Sequence, residues 1–149
     1  MTAIKDKLGL SGELTIVLRD KDGNVKQEQT VPNLVVNDGL YFITERMVGN
    51  TPAIMSHMAI GSGTVAAAAG DTTLTQLGRV ALTSDNQVNN TVTYVATFPA
   101  GTGTGAVTEA GIFNSATTGD MLCRTTFAVV NKAADDVMTI NWTVTLNAA

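Results

Sequence analysis

The ten residues Val137-Met138-Thr139-Ile140-Asn141-Trp142-Thr143-Val144-Thr145-Leu146 decide the fold class. Met138, Ile140, Trp142, Val144 and Leu146 fall on one side of an extended chain, and Thr139, Asn141, Thr143, Thr145 and Asn147 on the other. A period of two marks a β-strand with one face in a core and the other in water. Upstream, Thr91–Phe98 repeats the pattern, with Val92, Tyr94, Ala96 and Phe98 opposite Thr91, Thr93 and Thr97, until Pro99 stops it. Leu14, Ile16 and Leu18 alternate in the same way through Glu13–Arg19. Lys21-Asp22-Gly23-Asn24 then turns the chain, because Asp-Gly tolerates the positive φ of a tight hairpin. Val25–Val31 returns as a polar strand ended by Pro32, which suits a sheet edge.

Shorter apolar stretches predict strands at Met55–Ile60, Arg79–Thr83, Val107–Phe113 and Met121–Val129. Polar turns are predicted at Ser84–Asn90 and Asn114–Asp120, a small-residue loop at Ala100–Gly105, and a single helical turn at Asp71–Leu77. One helix is predicted over about residues 38–48, capped by Asn37 and ended by Gly49, with Leu40, Ile43 and Met47 on its buried face. The reading is mainly β: an antiparallel β-sandwich or jelly roll with one short helix. Residues 1–11 are expected to be a flexible N-terminal arm, and 12–149 a single β-sandwich domain.

Composition narrows the function classes. The 149 residues are 44% hydrophobic and 15% charged, which excludes a disordered polyelectrolyte. A net charge of -4 argues against binding nucleic acid through counterion release. No apolar run approaches the ~20 residues of a membrane helix, and Met1–Leu10 has no apolar stretch of the signal-peptide kind. Threonine and valine number 23 and 16, against five lysines and four glutamates, so the surface carries little charge to keep neighbours apart. This favours a protein that touches copies of itself or a partner.

No catalytic, cofactor-binding or metal-ligating constellation is read. The stretches Gly61-Ser62-Gly63 and Gly101-Thr102-Gly103-Thr104-Gly105 lack the Gly-Lys-Ser/Thr ending of a phosphate loop and the dinucleotide spacing. They read as tight connections that permit close backbone approach. His57 is a lone histidine, and Ser56 beside it on a strand would point to the opposite face. Cys123, in a candidate strand, reads as a small core residue. Asp20, Asp22 and Asn24 resemble the opening of a calcium loop, but Val31 stands where its closing glutamate belongs. Asp135-Asp136 reads as a solvated turn. Glu109 lies among small residues inside a candidate strand and needs a cation there, for which Arg79 and Arg124 are the candidates. Trp142 alternates with core residues, so only Tyr41 and Tyr94 remain as sugar platforms for a carbohydrate-binding module.

Four segments carry a resemblance: Ala59-Ile60-Gly61-Ser62-Gly63-Thr64 followed by Asp71-Thr72-Thr73-Leu74 and Arg79-Val80; Thr91–Gly101; Thr108-Glu109-Ala110-Gly111-Ile112-Phe113-Asn114; and Thr139–Val144. Over about residues 57–146 the chain resembles small β-sandwich structural proteins of tailed bacteriophages. That resemblance implies a virion component made in the host cytoplasm. The first expectation is a capsid cement or decoration protein on the outer capsid surface, bridging major capsid protein subunits and self-associating as a homo-dimer or homo-trimer. The alternative is a tail-fibre, baseplate or other tail subunit. Leu8 and Leu10 of the arm, and Gly61, Ser62, Gly63, Gly101, Gly103 and Gly105 of the loops, are the expected assembly contacts. No cofactor, nucleic acid or membrane is expected.

Overall fold

In a computed structural model, which describes residues 8–148, the chain forms two five-stranded antiparallel sheets packed as a sandwich, with one short helix. In chain order the elements are β1 (Leu8–Arg19), β2 (Val25–Pro32), β3 (Leu34–Val35), α1 (Asn37–Met47), β4 (His57–Gly61) and β5 (Gln76–Ala81). There follow β6 (Ser84–Val88), β7 (Thr91–Phe98), β8 (Gly105–Phe113), β9 (Met121–Lys132) and β10 (Val137–Ala148). The first sheet runs β2-β1-β10-β7-β6 and the second β3-β9-β8-β4-β5.

The alternating strands meet as their patterns require. Ile16 opposes Ile140 on β1 and β10, and Ala96 opposes Ile140 from β7. Leu14, Ile16, Leu18, Phe98, Met138, Ile140 and Trp142 are almost fully buried against Met58, Ile60, Val107 and Ile112 of the second sheet. Each such side chain contributes about 1.5–3 kcal/mol by leaving water. The other face of the first sheet explains the threonine content. Thr91 pairs with Thr145 at 3.2 Å, Thr93 with Thr143 at 3.4 Å and Thr15 with Thr30 at 3.0 Å, hydroxyl to hydroxyl across neighbouring strands. Such pairs satisfy one another while their methyl groups pack.

The second sheet is covered on both faces. Val36, Ala59, Phe113 and Met121 form a second buried cluster with Leu74 packed on it, on the side away from the main core. Helix α1 begins where the two-residue β3 leaves β9. Val36 N–H bonds the Leu122 carbonyl at 3.2 Å, and Gly39 lies so close to that carbonyl that no side chain fits there.

The structure departs from the sequence expectations at several places. Leu8–Ser11 are not an arm: they begin β1, with Gly9 opposite Asn147 and Leu10 opposite Leu146, because β10 extends to Ala148 and leaves a backbone edge to be paired. Residues 1–7 of the expected arm lie outside the described residues. Ser84–Val88 is an edge strand rather than a turn, fully exposed and therefore without alternation. The turn is confined to Asn89-Asn90, with Asn89 at φ 53°. Asp71–Thr75 is irregular, since Asp71 is drawn to Arg124 instead of capping a helical turn. The cap position of α1 belongs to Val36 and no side chain caps it. Met47 is 77% exposed; the helix instead buries Gly39 and packs Phe42 on the main core.

Candidate functional site

The most heavily bonded polar cluster sits on the outer face of the second sheet, under the loop between β4 and β5. Glu109 on β8 is 1% exposed and Arg124 on β9 is 5% exposed. The register places Gly111 opposite Arg124, so the long arginine side chain crosses a position with no side chain of its own to reach Glu109. Arg124 Nη2 meets Glu109 Oε2 at 2.8 Å, Nε meets the same oxygen at 3.1 Å, and Nη1 meets Asp71 Oδ2 at 2.8 Å. Nη2 also donates to the Val65 carbonyl at 2.9 Å. The second carboxylate oxygen of Glu109 accepts the Gly63 N–H at 3.0 Å and the Thr75 N–H at 2.6 Å. Thr108 Oγ1 donates to the Gly63 carbonyl at 2.8 Å.

Burial alone would lower the Arg124 pKa, but the hydrogen bonds and charges of Glu109 and Asp71 outweigh it and raise the value. The arginine is therefore a permanent cation shared by two carboxylates, and the cluster pins loop 62–75 to the sheet at both ends. Four hydrogen bonds from the one guanidinium hold β8, β9 and the loop together, and the cluster acts as a fastening.

Arg79, the other candidate partner of Glu109, goes elsewhere. Its guanidinium lies 3.8 Å from the Phe113 ring centroid. It donates to the Ser115 and Thr118 carbonyls at 3.0 and 2.8 Å and to Gln76 at 3.0 Å, closing the loop between β8 and β9. Burial lowers its pKa.

The expected assembly glycines serve their own chain. A Cβ on Gly61 would meet Glu109 and the Thr75 carbonyl, and one on Gly63 would lie 2.6 Å from Glu109 Oε2. Ser62 N–H bonds the Thr75 carbonyl and Gly101 N–H the Ala134 carbonyl. Gly103, at φ +71°, lies against Ile60, and Gly105 lies near Leu77. At Gly61, Gly63, Gly103 and Gly105 the approach that a small residue permits is made to other parts of the same chain. Leu10 is half-buried on β1; Leu8 pairs through its backbone with Ala148.

Two further polar features were not legible in the sequence. Asp136, read as part of a solvated turn, is 3% exposed; its Oδ2 accepts Lys26 Nζ at 2.7 Å and the Ala133 N–H at 2.8 Å. The Lys26 hydrogen bond, then that N–H, hold its carboxyl below the usual range against the opposing effect of burial. Lys132, 2% exposed, donates to the Pro99 and Asp136 carbonyls at 2.9 and 2.7 Å, and burial lowers its pKa. Asp135 stays exposed. Ser56 lies just before β4 rather than on it, so its Oγ does reach His57 Nδ1, at 2.8 Å. Among the described residues no carboxylate bonds that histidine, and no three His, Cys, Asp or Glu side chains gather around a metal-sized space.

Cys123 is fully buried, and burial pushes its thiol well up. The Tyr94 phenol is pushed up to about 12, first by burial and then by Cys123 and Asp85. Tyr94 is 9% exposed and faces inward, so Tyr41, 59% exposed, is the one tyrosine with an open ring. A cleft of about 400 Å³ opens between α1 and β6, lined by Phe42, Arg46, Ile54, Met55, Asp85 and Tyr94 among others.

Comparison with known proteins identifies no relative. No protein-family model, curated protein or solved structure matches the chain. What stands is the fold, a mainly β two-sheet antiparallel sandwich with one short helix.

Proposed function

We propose that this chain is a structural subunit of a tailed-bacteriophage virion, a capsid cement or decoration protein that bridges major capsid protein subunits on the outer surface of the shell. The observation that carries the proposal is the clustering of the phage-like motif residues. Gly61, Gly63 and Asp71 of the first motif segment and Glu109 of the third converge, with Arg124, on one buried fastening. A motif spent on fixing a long loop against a sheet suits a protein whose task is to keep its shape under load. The threonine-rich, weakly charged outer face of the first sheet is compatible with broad protein contacts and with self-association. Each subunit contact is modest, and repetition over a lattice makes the sum large.

Quantitative mass spectrometry of purified virions against the major capsid protein tests the assignment. A copy number near that of the shell protein is the expected result. A number lower by one to two orders of magnitude moves the subunit to the tail, its fibres or its baseplate, and absence from the particle removes the virion reading.

A further inference from the structure

A sheet edge is a row of unpaired N–H and C=O groups, and proteins commonly blunt it with charge, proline, a bulge or brevity. Three of the four edges in this sandwich are blunted in these ways, and the fourth, β6, carries the single charge of Asp85. β2 has Lys26, Glu28 and Pro32 and a register shift opposite Leu18/Arg19. β3 has two residues, and β5 carries Arg79 and a shift at Ile60/Gly61. β6, Ser84-Asp85-Asn86-Gln87-Val88, has no proline, no lysine and an unbroken register with β7. All five residues are exposed, and among the described residues no other element pairs with its outer edge.

The two-residue turn Asn89-Asn90 fixes which groups are free. Val88 and Thr91, flanking that turn, are a hydrogen-bonded pair, so by alternation Val88, Asn86 and Ser84 bond toward β7. Asp85 and Gln87 therefore present their N–H and C=O outward. Asp85 and Gln87 also stand opposite Tyr94 and Val92, so their side chains share the inner face, above the apolar mouth formed by Phe42, Ile54 and Met55. Within this mouth Ile54 is 55% exposed. Open backbone and uncovered apolar surface coincide at this edge of the sandwich.

We infer that β6 is a homotypic interface at which two copies of this chain pair their β6 strands antiparallel about a two-fold axis through Asn86. The register is self-consistent. Asp85 opposes Gln87 of the partner subunit, and these are the residues whose backbone groups point outward, so two symmetry-related pairs exchange four hydrogen bonds. The sole charge on the strand, Asp85, faces a neutral amide, and Val88 faces a serine; no like charges are opposed. The edge at β2 is already engaged, through Gln27 and Gln29, with the carbonyls of Val129 and Ala128 on β9. Pairing through β6 joins the two first sheets into one continuous ten-stranded sheet and brings the two apolar mouths to either side of the axis. The inference rests on the edge itself and not on the virion assignment.

Sedimentation of the full chain over a range of concentrations, combined with site-directed cross-linking, tests it. The expected species is a reversible dimer. Gln87→Pro removes an outward N–H while sparing the ladder to β7, as proline at an edge allows, and should weaken the dimer at least about tenfold. Asn86→Cys places two thiols across the axis at a non-hydrogen-bonded pair and should form a disulfide dimer under mild oxidation, whereas Ser84→Cys should not. Cys123 is buried and does not compete. Circular dichroism checks that the variants keep the fold. A monomer or a trimer in the unmodified chain overturns the inference, as does a dimer that survives Gln87→Pro or leaves Asn86→Cys uncross-linked. None of these results alters the copy number in virions, so the two proposals fail separately.

Discussion

Arg124 donates through both Nε and Nη2 to one oxygen of Glu109, at 3.1 and 2.8 Å, from a strand position offset by two pairs along the β8–β9 ladder. Removing the carboxylate leaves a buried guanidinium with Asp71 as its remaining acid. Glu109→Ala should therefore cost about 3–5 kcal/mol. In the double variant Glu109→Ala/Arg124→Met the loss should fall short of the sum of the single losses, because the second change removes the orphaned charge. Urea denaturation of the four proteins of this cycle measures the coupling, and strict additivity would contradict the pairing.

The glycines give a graded test. Gly63→Ala drives a Cβ into the Glu109 carboxylate and should cost about 1–3 kcal/mol. Gly23→Ala meets open space but keeps a φ of +85°, so its cost should be about 1–2 kcal/mol from the backbone alone. Gly70→Ala meets neither obstacle and should be neutral or stabilise by less than about 1 kcal/mol. Thermal denaturation of the three variants should preserve this order.

Acid sensitivity should report on Asp136. Its carboxyl titrates below the usual range in the folded chain, so the folded state binds fewer protons than the unfolded one in that window. The stability it contributes is complete above the unfolded value of about 3.9 and disappears as pH falls through the lower, folded value. The melting-temperature gap between the parent and Asp136→Asn should thus be widest above about pH 5 and close toward pH 2. A gap independent of pH would show that the carboxylate charge is irrelevant there.

The helix offers a paired contrast. Asn37 is the first helical residue and bonds no backbone group as a cap, so Asn37→Ala should change stability by less than about 0.5 kcal/mol. Gly39→Ala forces a methyl onto the Leu122 carbonyl, where backbone must move, and should be among the most damaging single-atom additions in the chain. Chemical denaturation separates the two outcomes. A loss near 1 kcal/mol for Asn37→Ala would restore the capping role.

Legibility in the sequence follows burial contrast. β7 and β10 each hold one face in the core and one outside, and their alternation marks both ends of β7 and the start of β10. β6 has no buried face and so no period to read; β3 is too short to show one. β8 is buried on both faces over Glu109–Phe113, which the coverage by loop 62–75 makes intelligible only after folding. At the polar cluster, the need of Glu109 for a cation could be deduced from its apolar neighbours. The choice of Arg124 over Arg79 could not, because both lie on the second sheet, and Gly111 opposite Arg124 is what opens the path. Asp71, the Val65 carbonyl and the Gly63 N–H joined the cluster through tertiary approach alone, without any local signal.

One relationship in the first sheet bears on force. Leu8 stands directly opposite Ala148, so the described chain enters and leaves the domain side by side on β1 and β10. Tension applied to those two ends would part their hydrogen bonds one after another, like a zip, instead of loading all of them in shear. A subunit built this way resists stress only when it is gripped by its faces and edges, and it should peel readily when pulled by its tails.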